Sequence, residues 1–150
     1  MSEPRDYSWI QEHTERYLKH PERAHDWDAT HAGGTGLVPT LLLTTVGRKS
    51  GDQRPTPLLY QPTGTGFIVV ASRGGSDHHP AWYLNLLANP GCEIQVGKFS
   101  YTATARVLTL EERRPYWEWM VRFWPDYANY QARTEREIPV VILDAESKRD

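Results

Sequence analysis

The chain contains the run Leu41-Leu42-Leu43-Thr44-Thr45-Val46-Gly47-Arg48-Lys49-Ser50-Gly51-Asp52-Gln53-Arg54, in which an apolar, strand-like segment leads directly into a basic turn. Glycines at both ends of the turn allow a tight bend and bring backbone N–H groups close to a ligand. Arg48, Lys49 and Arg54 add positive charge, and Ser50 adds a hydroxyl group. This pattern predicts an anion site, most naturally for a phosphate. A solvated hairpin tip is the alternative, because basic residues are common in turns.

Length and composition indicate one ordinary domain. The chain has 150 residues, 39% hydrophobic and 24% charged, which is enough for one packed core, and its net charge of -2 gives no reason to expect sequence-independent nucleic-acid binding. Cys92 has no partner for a disulfide, residues 1–5 lack a signal core, and no apolar run approaches the roughly 20 residues of a membrane-spanning helix. We expect a cytoplasmic protein with a single domain over residues 1–150, divided into an N-terminal helix and loop (1–36) and the core (37–144).

Hydrophobic periodicity predicts six strands and several helices. The strands are expected at residues 39–46, 54–61, 66–71, 93–96, 99–107 and 139–143. A first helix follows the capping-box sequence at Ser8 and ends before Pro21, and a polar, glycine-rich loop follows over residues 25–36. A second helix begins at Pro80. A third helix follows the capping box at Thr109, with a kink or restart expected at Pro115. A short turn of helix then follows residue 125.

The order of these elements favours an α+β domain over a doubly wound parallel sheet. Short links such as Gly97-Lys98 suit antiparallel hairpins in a sheet closed toward a barrel. Neither a G-x-G-x-x-G fingerprint nor the spacing of a Walker loop is present. The predicted phosphate therefore does not belong to a dinucleotide fold or an NTPase.

Several ordered blocks strongly resemble the deazaflavin-dependent nitroreductase and quinone reductase family. They are Leu43-Thr44-Thr45-Val46-Gly47-Arg48-Lys49-Ser50-Gly51 with Arg54 and Pro57-Leu58, Val69-Val70-Ala71-Ser72-Arg73-Gly74-Gly75, His79-Pro80-Ala81-Trp82-Tyr83-Leu84-Asn85-Leu86, Tyr127-Ala128-Asn129-Tyr130-Gln131, and Arg136-Glu137-Ile138-Pro139-Val140-Val141. The resemblance implies a split β-barrel of the FMN-binding-like type, mainly antiparallel, with an N-terminal helix and flanking helices. It also implies coenzyme F420, an 8-hydroxy-5-deazaflavin, as the cofactor.

The resemblance assigns roles to particular residues. The cofactor-binding residues would be Arg48, Lys49, Ser50, Arg54, Pro57, Ala71, Ser72, Arg73, Gly74, Gly75, Pro80, Trp82, Tyr83 and Asn85. The basic turn would hold the phosphodiester, and the start of the second helix would direct N–H groups and its positive dipole end toward the same cleft. Tyr127 and Tyr130 would form the acceptor pocket and could donate a proton. Trp82 and Asn85 have core packing and helix-surface positions as alternatives.

The implied activity is an F420H2-dependent oxidoreductase that passes a hydride to a quinone, a nitroaromatic or another conjugated electrophile. The protein would supply orientation, water exclusion and charge placement. Three features depart from the family pattern: Arg73 replaces the usual lysine, Ser76-Asp77-His78 replaces a small-proline-lysine segment, and residues 32–36 form a longer glycine-rich stretch.

Other interpretations remain open. A non-catalytic deazaflavin-binding or storage protein, or a relative that binds FMN or haem, would use the same kind of fold. A metal site built from His25, Asp26, Asp28, His31, His78 and His79 matches no zinc spacing, so no metal is expected. The assembly is expected to be a monomer or a homodimer. The apolar stripe Trp9, Ile10, Tyr17 and Leu18 either packs on the protein or contacts a membrane surface.

Overall fold

The computed structural model describes residues 8–19, 25–28 and 37–149. The helices are α1 (Ser8–Lys19), α2 (Ala81–Ala88), α3 (Leu110–Phe123) and α4 (Asp126–Ala132). The strands are β1 (Asp26–Asp28), β2 (Leu37–Val46), β3 (Gln53–Leu59), β4 (Gln61–Pro62), β5 (Gly66–Val70), β6 (Gly91–Val96), β7 (Phe99–Val107) and β8 (Val140–Arg149). A short 3₁₀ turn, Arg73–Gly75, lies between β5 and α2. The expected α+β class is confirmed.

The strands form one antiparallel sheet in the order β1-β2-β6-β7-β8-β5-β4, with β3 paired to β2. The predicted strand over residues 54–61 divides at Tyr60. Its first part pairs with β2 and its last part pairs with β5, so this one stretch of chain contacts two strands that are not neighbours in the sheet.

Both faces of the central strands are covered, because side chains alternate between the two sides of a strand. In β5, Val69 belongs to a core cluster that includes Trp82 and Leu86 of α2. Its neighbours Ile68 and Val70 belong to a second cluster formed with α3 and α4. In β2, Leu42 packs with Tyr17 of α1 on the face opposite Leu41 and Leu43. Helices therefore cover the sheet on both of its faces.

The predicted helix starts and stops are mostly confirmed. Pro80 is the N-cap of α2, and Thr109 and Glu112 form the expected reciprocal capping box of α3. Helix α3 continues through Pro115, so the expected restart there is wrong, and the expected kink stays a prediction. The cost of the missing N–H, about 3 kcal/mol, is offset by anchoring on both sides: Arg113 binds the Ile138 carbonyl, and Met120 is fully buried. The side chains of the predicted capping box at Ser8 lie outside the described residues.

Two strand boundaries also differ from the predictions. Within the predicted loop over residues 25–36, β1 pairs with the start of β2; residues 29–36 lie outside the described part of the chain. The last strand continues past Leu143 to Arg149, because its backbone keeps pairing with β7 although its residues become polar. Polarity marks where a strand becomes exposed, and backbone hydrogen bonds mark where it ends. Within residues 8–19, 25–28 and 37–149, no helix combines the length and the apolar character needed to cross a bilayer.

Candidate cofactor site

The basic turn between β2 and β3 has a fixed shape. The Gly47 N–H donates to the Asp52 carbonyl at 2.8 Å, and the Gly51 N–H donates to the Gly47 carbonyl at 2.8 Å. Gly51 has a φ of +77°, which glycine adopts without strain. Ser50 Oγ accepts from the Asp52 N–H at 3.1 Å and from Arg54 Nη2 at 3.3 Å. The turn thus holds its hydroxyl and one guanidinium together on an exposed tip.

Asn85 of α2 connects this turn to the core. Its side chain is only 4% exposed. The Oδ1 atom accepts from both the backbone N–H and Nη1 of Arg48, each at 3.1 Å, and Nδ2 donates to Thr45 Oγ1 at 3.1 Å. Because its amide makes these three hydrogen bonds, Asn85 holds Arg48 in a fixed orientation.

A cavity of about 450 Å³ opens beside the turn. It is lined by Gly47, Arg48, Lys49, Ser50, Gln53, Arg54, Pro55, Thr56, Ala81, Trp82 and Asn85. Among these described residues, the charged side chains are all basic. Ala81 and Trp82 belong to the N-terminal turn of α2, where backbone N–H groups and the helix dipole favour an anion. The cavity therefore combines a basic rim, a hydroxyl and an aromatic wall.

The segment after β5 has an uncommon backbone. Arg73, Gly74 and Gly75 have φ values of 45°, 62° and 84°, so an arginine sits in the left-handed region next to two glycines. A Cβ on Gly75 would lie 2.7 Å from the Tyr130 carbonyl oxygen. Residues 73–75 therefore pack directly against the backbone of α4, and only glycine fits at the contact.

Arg136 holds the same segment from the other side. Its guanidinium donates to the carbonyls of Ser76 (2.8 Å), Ala71 (3.2 Å) and Ser72 (2.7 Å). It also lies 3.2 Å from Nδ1 of His79, whose ring packs on Tyr83. Burial and the Arg136 charge lower the pKa of His79, and burial raises the pKa of Tyr83. The sequence interpretation assigned no role to Arg136, although it lies in one of the family-like blocks.

The two predicted acceptor tyrosines occupy different environments. Tyr127 is 4% exposed and lies in the core cluster formed with α3, and burial raises the pKa of its phenol. Tyr130 is half-buried, and its hydroxyl accepts from Trp124 Nε1 at 3.4 Å. Their rings meet edge to face with centroids 6.1 Å apart. Neither lines the cavity beside the basic turn.

The predicted cofactor residues thus fall into two groups. Arg48, Lys49, Ser50, Arg54, Trp82 and Asn85 line the cavity, whereas Ala71, Ser72, Arg73, Gly74, Gly75 and Tyr83 lie in or beside the segment held by Arg136. Pro80 is buried at the start of α2, between them. Pro57 is buried in β3 and does not line the cavity. Gln53, Pro55 and Thr56 do line it, and the alternation of the hairpin could have indicated Thr56.

The histidines considered for a metal site have other contacts. His25 Nε2 lies 2.8 Å from the Tyr60 hydroxyl, and His79 faces Arg136. His31 lies outside the described residues.

Comparisons with known proteins identify the family. The sequence profile of the F420H2-dependent quinone reductases matches residues 10–145. An F420H2-dependent quinone reductase of Mycobacterium tuberculosis strain H37Rv is 36% identical over 151 aligned positions, covering 90% of this chain and 95% of that protein. This chain belongs to the F420H2-dependent quinone reductase family.

Solved structures agree with this family membership. A structure described as an F420-H2 dependent reductase has 43% identity and a TM-score of 0.65, covering 71% of this chain and 94% of that one. Another, described as a domain-swapped dimer, has 40% identity and a TM-score of 0.66, covering 91% and 98% of the two chains. A haem-storage protein of Vibrio cholerae, at 15% identity and a TM-score of 0.56 over 89% and 91% of the chains, shares the fold alone.

Proposed function

We propose that this protein is an F420H2-dependent oxidoreductase that reduces quinones, and that nitroaromatics and other conjugated electrophiles are further acceptors. The observation that carries the proposal is the cavity beside the basic turn in a chain of this family. Its donor set suits a phosphodiester, because guanidinium and ammonium groups, a hydroxyl and a helix N-terminus all favour anionic oxygens. The basic turn and the segment at residues 71–75 flank α2. An extended cofactor, with a phosphate and a ring some distance apart, would require two such separate contact regions.

Each group has a defined part in this proposal. Arg48, Lys49, Ser50 and Arg54 bind the phosphodiester, with Asn85 fixing Arg48. The segment at residues 71–75 and the start of α2 at Pro80 receive the ring edge. Trp82 contributes an aromatic wall, and Tyr83 braces α2 through its contact with His79.

The bound deazaflavin, when reduced, would supply the hydride, since it favours two-electron transfer. The residues of the chain orient the reactants and exclude water. Tyr130 is the better placed of the two tyrosines to hydrogen-bond an acceptor oxygen, because Tyr127 is almost fully buried. Tyr127 supports its neighbour by packing. We therefore assign the proton-donor role to Tyr130 and the positioning role to Tyr127.

We also infer the finer architecture and setting. The contact of β3 with β2 and of β4 with β5 supports a split β-barrel in which this divided strand links two distant parts of the sheet. We infer one domain over residues 1–150, with residues 37–144 as its core. The assembly would be a monomer or homodimer in the cytoplasm, and the packing of Tyr17 on the core favours an α1 docked on the protein over peripheral membrane contact.

The test is a fluorescence titration of the purified protein into F420 and, separately, into FMN. Menadione is then added to the complex with reduced F420, and reoxidation is followed by absorbance. Saturable F420 binding with menadione-dependent reoxidation is the expected result. Binding without reoxidation by any of a panel of quinones and nitroaromatics would favour storage, and a preference for FMN would contradict the proposal.

A further inference from the structure

The segment at residues 71–76 makes few bonds of its own. Its internal backbone bonds are Gly75 N–H to the Ser72 carbonyl (3.0 Å) and Ser76 N–H to the Arg73 carbonyl (3.2 Å). It contains three consecutive left-handed residues, one of them an arginine. A non-glycine residue in that region is strained, so the segment needs external support to keep this shape.

Arg136 supplies that support with a geometry that lysine cannot copy. Three of its N–H groups reach the carbonyls of Ala71, Ser72 and Ser76, which lie before and after the left-handed residues. A planar guanidinium can serve several acceptors at fixed angles, whereas an ammonium group is a single point of charge. Burial lowers the pKa of Arg136, which is consistent with a guanidinium directed inward at the protein.

Arg136 is itself held by α4. Gln131 Nε2 donates to the Arg136 carbonyl at 2.7 Å, and Gln131 Oε1 accepts from the Ile138 N–H at 3.0 Å and from Arg113 Nη2 at 3.3 Å. The guanidinium of Arg113 also lies 4.3 Å from the centroid of the Trp117 ring. A chain of contacts therefore runs from α3 through Gln131 to Arg136.

The same helix touches the segment directly. Gly75 packs on the backbone of Tyr130, one residue before Gln131. Helix α4 thus carries both the tyrosine proposed for the acceptor and the residue that anchors Arg136. The segment proposed for the deazaflavin ring and the helix proposed for the acceptor are fixed to each other at two points.

We infer that Arg136 is a positioning residue for hydride transfer: its guanidinium fixes the ring-binding segment relative to Tyr130 on α4. This inference rests on the proposed function, because it concerns the alignment of cofactor and acceptor. Arg136 sets geometry, whereas the basic turn between β2 and β3 provides the anion-binding contacts. Loss of the Arg136 guanidinium should therefore reduce kcat far more than it weakens F420 binding.

Arg136→Lys tests this inference, with Arg114→Lys as the matched control because Arg114 lies exposed on α3 and pairs only with Glu118 among the described contacts. We expect Arg136→Lys to lower kcat with menadione by about tenfold or more at saturating F420H2, since misplacements near 1 Å can cost about a hundredfold. The Kd for F420 should change less than about threefold, and Arg114→Lys should match the wild type. Amide hydrogen exchange should show faster exchange at Gly75 and Ser76 in Arg136→Lys alone.

The outcomes separate the two proposals. If the wild type neither binds F420 nor reoxidises its reduced form, the proposed function fails. If the wild type turns over and folded Arg136→Lys keeps kcat within twofold, the positioning role is refuted while the function stands. A fall in stability without a fall in kcat would also refute it, because a purely structural arginine would behave in that way.

Discussion

At the level of single residues, the basic turn shows how a short motif forms the rim of a cavity. Arg48 is exposed, yet its backbone and its guanidinium are both held by the buried Asn85. The sequence interpretation named both residues as ligand contacts, with the helix surface as the alternative for Asn85. The structure places Asn85 in the core as well as at the cavity, where its side chain orients Arg48.

We predict that Arg48→Ala weakens F420 binding by about tenfold or more, because a charge-assisted hydrogen bond is worth about 1.5–3 kcal/mol. The value of kcat at saturation should change little, since phosphate contacts are the same in the ground and transition states. Fluorescence titration measures the first quantity and steady-state kinetics the second. Arg122→Ala on the exposed face of α3 is the control, and an unchanged Kd for Arg48→Ala would place the phosphate elsewhere.

The two tyrosines of α4 should respond differently to mutation. Tyr127→Ala removes a ring from the core cluster and should lower the free energy of unfolding by about 3–5 kcal/mol, the range found for large aromatic truncations. Tyr130→Phe keeps the ring packing but loses the bond from Trp124, so it should lower kcat by several fold with a smaller loss of stability than Tyr127→Ala. Urea denaturation and turnover with menadione test the pair. A Tyr130→Phe enzyme with wild-type kcat would remove the proton-donor assignment.

At the level of elements, the contact between the 73–75 turn and α4 depends on the absence of a side chain. Gly75→Ala adds a Cβ 2.7 Å from a backbone carbonyl and places it on a residue with φ of +84°. Gly97→Ala, in the β6–β7 hairpin, has a φ of +57° but open space around the Cβ, so it reports the backbone strain alone. We predict that Gly75→Ala is the more destabilising by at least about 1 kcal/mol. Equal losses in denaturant melts would contradict the packing described for Gly75.

The boundaries of helices and strands show where predictions from the sequence pattern differ from the packed structure. Hairpins and capping boxes involve residues close in the chain, so the sequence predicts them well. The course of α3 through Pro115 and the length of β8 depend on distant partners, namely the Ile138 carbonyl and the backbone of β7. Propensity alone could not include those bonds, because it weighs only neighbouring residues.

At the level of the whole molecule, α1 is held on the sheet by buried polar contacts of Tyr17 and of His13, whose Nε2 lies 3.2 Å from Thr40 Oγ1. Tyr17 donates to the Thr40 carbonyl at 2.8 Å and accepts from the Gly97 N–H at 3.0 Å. We predict that Tyr17→Phe lowers the free energy of unfolding by about 1–3 kcal/mol, since both partners lose a bond in a buried setting. Tyr116→Phe is the control, because its hydroxyl makes no hydrogen bond within the described part of the chain. Equal stability of the two variants by urea denaturation would show that α1 does not depend on this contact.

The sequence by itself determined the family, through the resemblance of its ordered blocks. It also determined the α+β class, most strands and the basic turn, because each depends on local periodicity or on residues within a few positions of one another. The residues that it grouped in the basic turn, Arg48, Lys49, Ser50 and Arg54, line one cavity, and their binding role stays a prediction. Only the tertiary structure decided that Asn85 orients Arg48 and that Tyr127 is buried. It alone showed that Arg136 binds carbonyls some sixty positions earlier in the chain. Those contacts form only when the end of β5, α2 and α4 pack together, and no pattern of neighbouring residues predicts that packing.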